Sequence, residues 1–302
     1  MLGSQISLKI LANAGFQLIT ITIMIYLPRT IYEAEHIEFR RTVRNWIESE
    51  IAPNHEQWER DGIVPRSVWE DAGMRGFLGI AVPEIYGGGG SEDFRFAAII
   101  SEEIGFAGVV GGAHGFTVHN DIVLPYILSL ANDEQKMRWL PKMVSGKYIG
   151  ALAITEPNTG SDMGAIKTTA LLDGDEYIVN GSKTFISNGI NSDVIVAAVR
   201  TSPDLGKKGI SLLVIERGMS GFERGRNLEK IGKHSQDTAE LFFNDMRVPS
   251  SNLLGLEGDG MKYLMHNLAQ ERLSIAVDAV AVAVAALTWT QAYTKERTAF
   301  GQ

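Results

Sequence analysis

The sequence predicts an α+β protein of several domains: an N-terminal helical domain, a middle antiparallel β domain and the start of a C-terminal helical bundle. Three observations predict this order. Apolar residues recur at helical spacing in residues 31–147, short runs rich in β-branched residues alternate with turn signals in residues 148–255, and helical spacing returns in residues 256–302. Residues 1–30 form a separate N-terminal extension.

Composition indicates a folded protein and argues against several classes of function. The chain has 302 residues, of which 45% are hydrophobic and 21% charged, enough apolar material for one or two cores. A net charge of −8 without a basic run argues against a nucleic-acid partner. The absence of cysteine excludes disulfides and thiolate chemistry, and the six histidines lack metal-binding spacing, so no metal site is predicted.

The N-terminal extension fits none of the three regions. Residues 6–27 are apolar, but polar side chains interrupt them, whereas a spanning helix needs about 20 mostly apolar residues. A membrane anchor is therefore not favoured. A secretory signal is not favoured either, because the A-x-A at residues 12–14 precedes most of the apolar run. We interpret residues 1–30 as non-native and hypothesise that the protein starts near Met24.

Residues 31–147 carry the helical pattern. Phe39, Val43, Trp46 and Ile47 stand at i, i+4, i+7 and i+8, which places them on one face of a helix. Three further helices begin at a short polar residue that can cap them: Ser67 (to Leu78), Asp93 (to Phe106), and Asn132 or Asp133 (to Met143). These patterns predict an all-helical layer.

Short strands dominate the middle of the chain. The predicted strands are residues 168–172, 177–179, 194–199, 210–215 and 239–243, with turns at Asp173-Gly174 and Asn180-Gly181. Their spacing predicts a small antiparallel sandwich or barrel.

Helical spacing returns from Met261 to about Arg297, with long stretches of alanine and valine. A helix that is apolar over so much of its surface requires partners that bury it. We expect those partners to come from C-terminal segments that the printed sequence does not contain.

Two motifs carry the chemistry. Residues 153–162 (AITEPNTGSD) read as a strand entering a turn, whose glycine, hydroxyls and free N–H groups can approach a polar ring and a pyrophosphate. Residues 180–189 (NGSKTFISNG) follow, with Phe185 as a flat aromatic face. Taken singly, the first motif is also compatible with an ordinary polar turn and Phe185 with plain core packing.

Together with residues 236–241 (QDTAEL) and 297–301 (RTAFG), these motifs resemble those of the acyl-CoA dehydrogenases. The resemblance extends from about residue 32 to residue 302. Thr159 stands where a smaller residue is more usual in the family, and Phe185 stands where many relatives carry Trp.

The resemblance is strongest to the long-chain branch, in residues 237–243 and 268–273. That branch and the isovaleryl branch place the catalytic glutamate at the position of Glu271. The sequence marks this residue independently, because a carboxylate interrupts an apolar helix face formed by Leu264, Leu268 and Ile275. Burial would raise its pKa and make it a better base. The alternative is a glutamate that pairs with a partner helix or faces solvent.

The resemblance implies FAD as the cofactor and an acyl-CoA thioester as the substrate. The residues expected to contact FAD are Leu152, Ala153, Ile154, Thr155, Glu156, Gly160, Ser161, Phe185, Ile186, Ser187, Arg297, Thr298 and Phe300. Those expected to contact the substrate are Ser161, Ala269, Gln270 and Arg272. Glycines 111, 112 and 115 are expected to leave volume at the far end of the acyl cavity.

The implied reaction is α,β-dehydrogenation of medium to long acyl chains in fatty acid β-oxidation. Glu271 would take the α-proton, and the β-hydrogen would leave as hydride to flavin N5. Electron-transferring flavoprotein would accept the electrons. Arg297 resembles an arginine that meets FAD across a subunit interface, which implies a homo-oligomer, commonly a tetramer, when the chain is complete. The cytoplasm is favoured over the mitochondrial matrix, with no membrane association.

Two alternatives remain open at this point. An acyl-CoA oxidase of the same superfamily would share nearly all of these residues and differ in how oxygen reaches the reduced flavin. A chain of this length could also be an inactive, non-catalytic fragment that binds no flavin.

Overall fold

The structure, a computed structural model, describes residues 30–301. The interpretation of the extension and the hypothesis of a start near Met24 therefore lie outside the described residues. Helices occupy the first part of the described chain, strands the middle and one long helix the end. The predicted fold class is confirmed, while the domain boundaries at 31–147, 148–255 and 256–302 stay a prediction.

The first region is a layer of helices, as predicted. Its α-helices are α1 Ala34–Trp46, α2 Ala52–Asp61, α3 Arg66–Met74, α4 Phe94–Ala107, α5 Val110–Thr117, α6 Leu124–Leu130 and α7 Asp133–Val144. A π-helical turn at Ile47–Ile51 joins α1 to α2, and a second at Val118–Val123 joins α5 to α6. Such turns recur at functional sites, and the second one contacts the helix that carries Glu271.

The predicted apolar face of α1 lies in the core. Val43, Trp46 and Ile47 are buried, and Phe39 packs against the same cluster. The Trp46 ring lies 5.6 Å from that of Phe116 on α5. This aromatic contact ties the first helix of the layer to the middle of it.

Two of the predicted helix caps are confirmed. Asp93 caps α4 by accepting a hydrogen bond from the Arg95 backbone N–H at 2.9 Å. Asn132 caps α7 and forms a reciprocal capping box with Gln135. Both side chains satisfy backbone donors that the first turn of a helix leaves free.

The prediction for the third helix was wrong at both ends. This helix, α3, begins at Arg66, directly after Pro65, and ends at Met74 instead of Leu78. Proline fixes a backbone φ that favours the start of a helix. At the other end Gly76 adopts a φ of 76°, a left-handed conformation that stops the helix.

The middle region forms one eight-stranded sheet. Its strands are β1 Gly150–Ala153, β2 Thr169–Asp173, β3 Glu176–Ser187, β4 Val194–Arg200, β5 Ile210–Glu216, β6 Phe222–Asn227, β7 Thr238–Pro249 and β8 Leu253–Leu254. The order is β6-β7-β3-β2-β4-β5-β8, with β1 on β4. Most pairs are antiparallel, as predicted, but β4 pairs in parallel with β1 and β2.

The predicted turn at Asn180-Gly181 was wrong, because β3 runs through it. The register against β7 shifts between Val179 and Gly181, which marks a β-bulge. Gly181 has a φ of 147°, and a Cβ there would lie 2.5 Å from Thr168 Oγ1. Glycine at this position therefore permits both the bulge and the close contact between β3 and Thr168. The turn at Asp173-Gly174 is confirmed, since β2 ends at Asp173.

The last element is α8, Gly260–Glu296, which packs along α4. Among residues 30–301, it is long and apolar enough to cross a membrane, but a core helix of a soluble protein meets the same criteria. Its exposed apolar side chains are Met265, Leu273, Ile275, Val280, Val282, Leu287, Trp289 and Tyr293.

Candidate active site

The two sequence motifs lie side by side at one end of the sheet. The Thr184 N–H donates to the Thr155 carbonyl at 2.9 Å, and Lys183 Nζ donates to the Ile154 carbonyl at 3.1 Å. These bonds join β3 to the turn that follows β1. The motifs, separated by 17 residues of sequence, therefore form one surface.

A buried ion pair holds that surface together. Lys183 is fully buried and donates to Glu156 at 2.9 Å. Glu156 also accepts the N–H groups of Lys167 at 2.7 Å and Thr168 at 2.9 Å. Its carboxylate is thus satisfied within the protein, and it positions the turn from inside.

The electrostatics of this pair favour both charges. Burial raises the pKa of Glu156, but the nearby Lys183 and the donated hydrogen bonds outweigh burial and leave the pKa below its usual value. Burial lowers the pKa of Lys183 to about 8, and Glu156 opposes that shift. The ammonium therefore remains charged at neutral pH beside an ionised carboxylate.

The residues expected to contact FAD divide into an accessible group and a buried group. Ala153, Glu156 and Ile186 are buried, so their side chains face the protein interior. The accessible or partly accessible ones of the two motifs are Leu152, Ile154, Thr155, Gly160, Ser161, Phe185 and Ser187. The accessible residues present hydroxyls and apolar surface to a ligand. The buried residues could offer only backbone atoms.

Phe185 has an unusual conformation. Its side chain is 68% exposed, and its φ is 59°, in the left-handed region that favours glycine. An exposed aromatic ring on a strained backbone recurs at functional sites. Within residues 30–301, Phe185 is therefore not packed in a core.

The turn after β1 is open on its outer side. A Cβ added at Gly160 would meet no atom within 4 Å, and the neighbouring Ser161 is exposed. Thr159, the residue that departs from the family pattern, is buried and donates to the Ala165 carbonyl at 3.1 Å. Its larger side chain is therefore accommodated beneath the turn and leaves the outer face free.

Glu271 lies on α8, half-buried, against α6. It accepts a hydrogen bond of 2.8 Å from the hydroxyl of Tyr126, which is completely buried. Burial raises the pKa of Glu271 above its usual range, and the Tyr126 hydrogen bond opposes this. Sequence reasoning missed Tyr126, because a tyrosine in an apolar helix gives no signal that separates core packing from a site.

A second buried carboxylate lies near the first. Asp121, in the π-turn between α5 and α6, accepts a 2.5 Å hydrogen bond from Ser274 Oγ, and its carbonyl accepts one of 3.1 Å from Gln270. Burial raises the pKa of Asp121 to about 6, and Ser274 opposes this shift. No pattern in the sequence predicts this contact between Asp121 and Ser274.

The other residues expected at the substrate site differ in exposure. Ala269 and Arg272 are exposed on α8. Gln270 lines a cavity of about 340 Å³ between α4, α6 and α8. Asp121 and Asn267 line the same cavity.

One apolar cluster connects the two halves of the site. Leu152, directly before the first motif, and Ile154 within it pack against the buried cluster that contains Tyr126 of α6 and Leu264 of α8. The strand that leads into the open turn and the helix that carries Glu271 therefore share a core. This packing can hold their relative positions.

Arg297, Thr298 and Phe300 lie far along the chain from the rest of the site. Arg297 follows the last residue of α8 and is exposed, as is Phe300. At about 1.5 Å per helical residue, the 26 residues from Glu271 to Arg297 span about 39 Å. The structure does not bring these residues together with the two motifs within one chain.

The glycines of α5 leave little volume: Gly112 and Gly115 line a pocket of only about 10 Å³. A Cβ at Gly111 would lie 2.1 Å from Glu59 Oε1, and one at Gly115 would lie 2.7 Å from Asn188 Oδ1. Small residues here permit α5 to pack closely on α2 and on the end of β3. Nearby, His119 is a buried structural residue whose Nδ1 accepts the Gly150 N–H at 2.9 Å.

Three domain models of known proteins match most of the chain. The acyl-CoA dehydrogenase N-terminal domain matches residues 33–147, the middle domain residues 151–246 and the C-terminal domain residues 258–302. The crystal structure of an acyl-CoA dehydrogenase from Geobacillus kaustophilus superposes with a TM-score of 0.88 at 50% identity, over 90% of this chain and 72% of that one.

The chain belongs to the acyl-CoA dehydrogenase family.

Two further family members show the range of the likeness. The mitochondrial long-chain specific acyl-CoA dehydrogenase of Sus scrofa is 46% identical over 91% of this chain, and the chain spans 64% of that relative's length. A glutaryl-CoA dehydrogenase from Mycobacterium smegmatis, described in complex with FADH2, has a TM-score of 0.82 at 27% identity, over 90% of this chain and 69% of that one.

Proposed function

We propose that the chain supplies the flavin surface and the catalytic base of an FAD-dependent acyl-CoA dehydrogenase. The observation that carries the proposal is the Glu271 carboxylate, which is half-buried on α8 against the apolar cluster that also supports the first motif. A carboxylate in such surroundings has the raised proton affinity that a general base needs near neutral pH.

The accessible residues of the two motifs fit a flavin. The exposed ring of Phe185 offers a flat apolar face, and Thr155 and Ser187 offer hydroxyls beside it. The open turn at Gly160-Ser161 can admit a pyrophosphate, because no side chain covers it. Under this proposal Glu156 and Lys183 position the turn, and Ala153 and Ile186 contribute backbone.

The proposed reaction breaks two C–H bonds of the acyl thioester and forms one C=C bond. Glu271 takes the α-proton onto its carboxylate, and burial strengthens it for this role. FAD, when bound, supplies the acceptor for the β-hydrogen, which leaves with its electron pair. Exposed Ser161, Ala269 and Arg272 are proposed to orient the acyl-CoA, with Gln270 beside them.

The finer assignments rest on the similarity to known relatives. Likeness to the Sus scrofa long-chain specific enzyme supports acyl chains of medium to long length as substrates. We also propose electron-transferring flavoprotein as the electron acceptor, and a homo-oligomer in which Arg297, Thr298 and Phe300 meet the FAD of a neighbouring subunit. Their exposure at the end of α8 is compatible with such a contact.

The test uses the chain extended by the C-terminal region of the Geobacillus kaustophilus relative that lies beyond the match; we refer to this protein as the completed chain. Glu271→Gln should lower substrate-dependent dye reduction by about 10²- to 10⁴-fold, because the base is lost while its shape is kept. Flavin absorbance and acyl-CoA binding should persist. Glu296→Gln, an exposed glutamate on the same helix, is the matched control and should keep full activity.

Retention of normal turnover by the Glu271 variant would place the base elsewhere. A completed chain that stays colourless and takes up no FAD would support the non-catalytic alternative. A third experiment distinguishes a dehydrogenase from an oxidase: the flavin is reduced anaerobically and then exposed to air for a timed interval. Rapid reoxidation of the flavin with release of peroxide indicates an acyl-CoA oxidase.

A further inference from the structure

The hydroxyl of Tyr126 occupies a position that the proposed reaction leaves unexplained. It donates a 2.8 Å hydrogen bond to Glu271 Oε1 across the boundary between α6 and α8. Tyr126 is completely buried, and its ring packs in the apolar cluster beneath the first motif. A buried hydroxyl with a carboxylate partner is held in one orientation, because the surrounding side chains leave the ring little freedom to turn.

The donor cannot be lost by titration within the working range of an enzyme. Burial raises the pKa of Tyr126 far above its usual range, and the Glu271 charge raises it further. The hydroxyl therefore remains protonated whenever Glu271 is ionised. The Tyr126–Glu271 hydrogen bond joins a neutral donor to a charged acceptor. Hydrogen bonds of this kind are about twice as strong as those between two neutral groups.

Other charged groups at the α8 boundary have partners of their own. Asp121 in the π-turn accepts from Ser274, while His114 of α5 and Lys233 lie 3.9 and 3.6 Å from Asp278. Within residues 30–301, the side chain that donates a hydrogen bond to the Glu271 carboxylate is Tyr126. Removal of the Tyr126 hydroxyl would take away the hydrogen bond that opposes the effect of burial on the pKa of Glu271.

We propose that Tyr126 is a positioning residue for Glu271: its hydroxyl holds the carboxylate against α6 and keeps it ionised between turnovers. Without the hydroxyl, the half-buried carboxylate would take up a proton more readily and would be free to turn away from α6. The inference rests on the proposed role of Glu271 as the base. It adds a residue of the helical layer to a site otherwise built from β1, β3 and α8.

The experiment compares Tyr126→Phe with the unmodified protein. The substitution removes one oxygen and keeps the ring, so the apolar cluster stays filled. Infrared difference spectra of the 302-residue chain, recorded against pH with ¹³C-glutamate, follow protonation of Glu271, and Glu271→Gln identifies its band. We expect the Glu271 titration to move to higher pH by about one unit or more.

The second measurement is the pH dependence of activity in the completed chain. The acid limb of its pH profile for kcat/KM should move to higher pH by the same amount, while the plateau at high pH stays within about threefold. A merely structural role for Tyr126 would lower the melting temperature and move neither titration. Tyr177→Phe is the matched control, because Tyr177 is a buried tyrosine that bonds Glu257 at 3.3 Å outside the site; it should leave the Glu271 band unmoved.

The outcomes separate the inference from the function on which it rests. A Glu271 titration that does not move in Tyr126→Phe overturns the inference. A titration that moves while the activity profile stays in place supports the effect of Tyr126 on Glu271 but overturns the assignment of Glu271 as the base. Shifts of similar size in the infrared titration and in the pH profile of kcat/KM support both the role of Tyr126 and the role of Glu271 as the base.

Discussion

At the scale of single residues, Phe185 illustrates how the site departs from ordinary packing. Its ring is exposed and its backbone is left-handed, two features that each oppose stability in the absence of a ligand. A bound flavin would cover the ring and offset part of this loss of stability. The neighbouring Ser187 is only half-buried and has a free hydroxyl for the same ligand.

Phe185→Ala and Ser187→Ala should each weaken FAD retention in the completed chain. The first removes a flat apolar face, and the second removes a hydrogen-bonding hydroxyl, so each should raise the dissociation constant by about tenfold, the equivalent of about 1.4 kcal/mol. Flavin content after gel filtration and a fluorescence titration with FAD measure the effect. Phe242→Ala, a partly exposed phenylalanine on β7, serves as the control. Unaltered flavin content in both variants would mean that β3 does not border the flavin.

At the scale of elements, the joint between the π-turn Val118–Val123 and α8 combines two unusual features. The turn interrupts the regular α-helical ladder, and its Asp121 is a buried carboxylate bonded to Ser274. The raised pKa of Asp121 means that the folded protein binds a proton more tightly than the unfolded chain. Ionisation of this group therefore destabilises the fold as the pH rises through about 6.

Asp121→Asn should be more stable than the unmodified chain at pH 7, by about 2 to 3 kcal/mol at most. The amide oxygen can still accept from Ser274, and the amide carries no charge to bury. Well below the usual aspartate pKa the side chain is neutral in the folded and in the unfolded protein, so the difference should shrink as the pH falls and vanish at about pH 3. Urea unfolding at a series of pH values measures it. An advantage that persists undiminished at pH 4 would contradict the assigned cause.

At the scale of the whole molecule, α8 determines how the 302-residue chain behaves in solution. One side of the helix packs on α4, where Gly105 brings the two backbones close together. The other side exposes a row of large apolar residues that includes Leu273, Val280 and Leu287. Each Å² of such surface favours association by about 25 cal/mol when it is buried, and contiguous exposed patches of this kind mark interfaces.

We therefore expect the 302-residue chain to self-associate and to show no acyl-CoA dehydrogenase activity, whereas the completed chain is active. Light scattering at several concentrations measures association, and dye reduction with a series of straight-chain acyl-CoA substrates measures turnover. A monodisperse monomer would contradict the first expectation. Substrate-dependent dye reduction by the 302-residue chain, with bound FAD, would contradict the second.

Local patterns in the sequence determined the elements and their order. The apolar stripe of α1, the caps at Asp93 and Asn132, and the alternation of β-branched runs with turns depend on neighbours within a few residues. The failures were also local in origin. The sequence predicts a cap at Ser67, but α3 begins at Arg66, directly after Pro65. It also predicts a turn at Asn180-Gly181, but Gly181 lies at a bulge within β3.

The motifs likewise identified Glu271, Phe185 and the turn at Gly160 from the order of residues alone. Only the tertiary structure decided what surrounds them. Tyr126 meets Glu271 across 145 residues of sequence, and Lys183 reaches Glu156 across 27. Such contacts depend on how helices and strands pack, and packing selects a side chain by shape and burial that no local pattern encodes. For that physical reason the sequence could indicate Glu271 as a candidate base but could not show that the Tyr126 hydroxyl bonds to it.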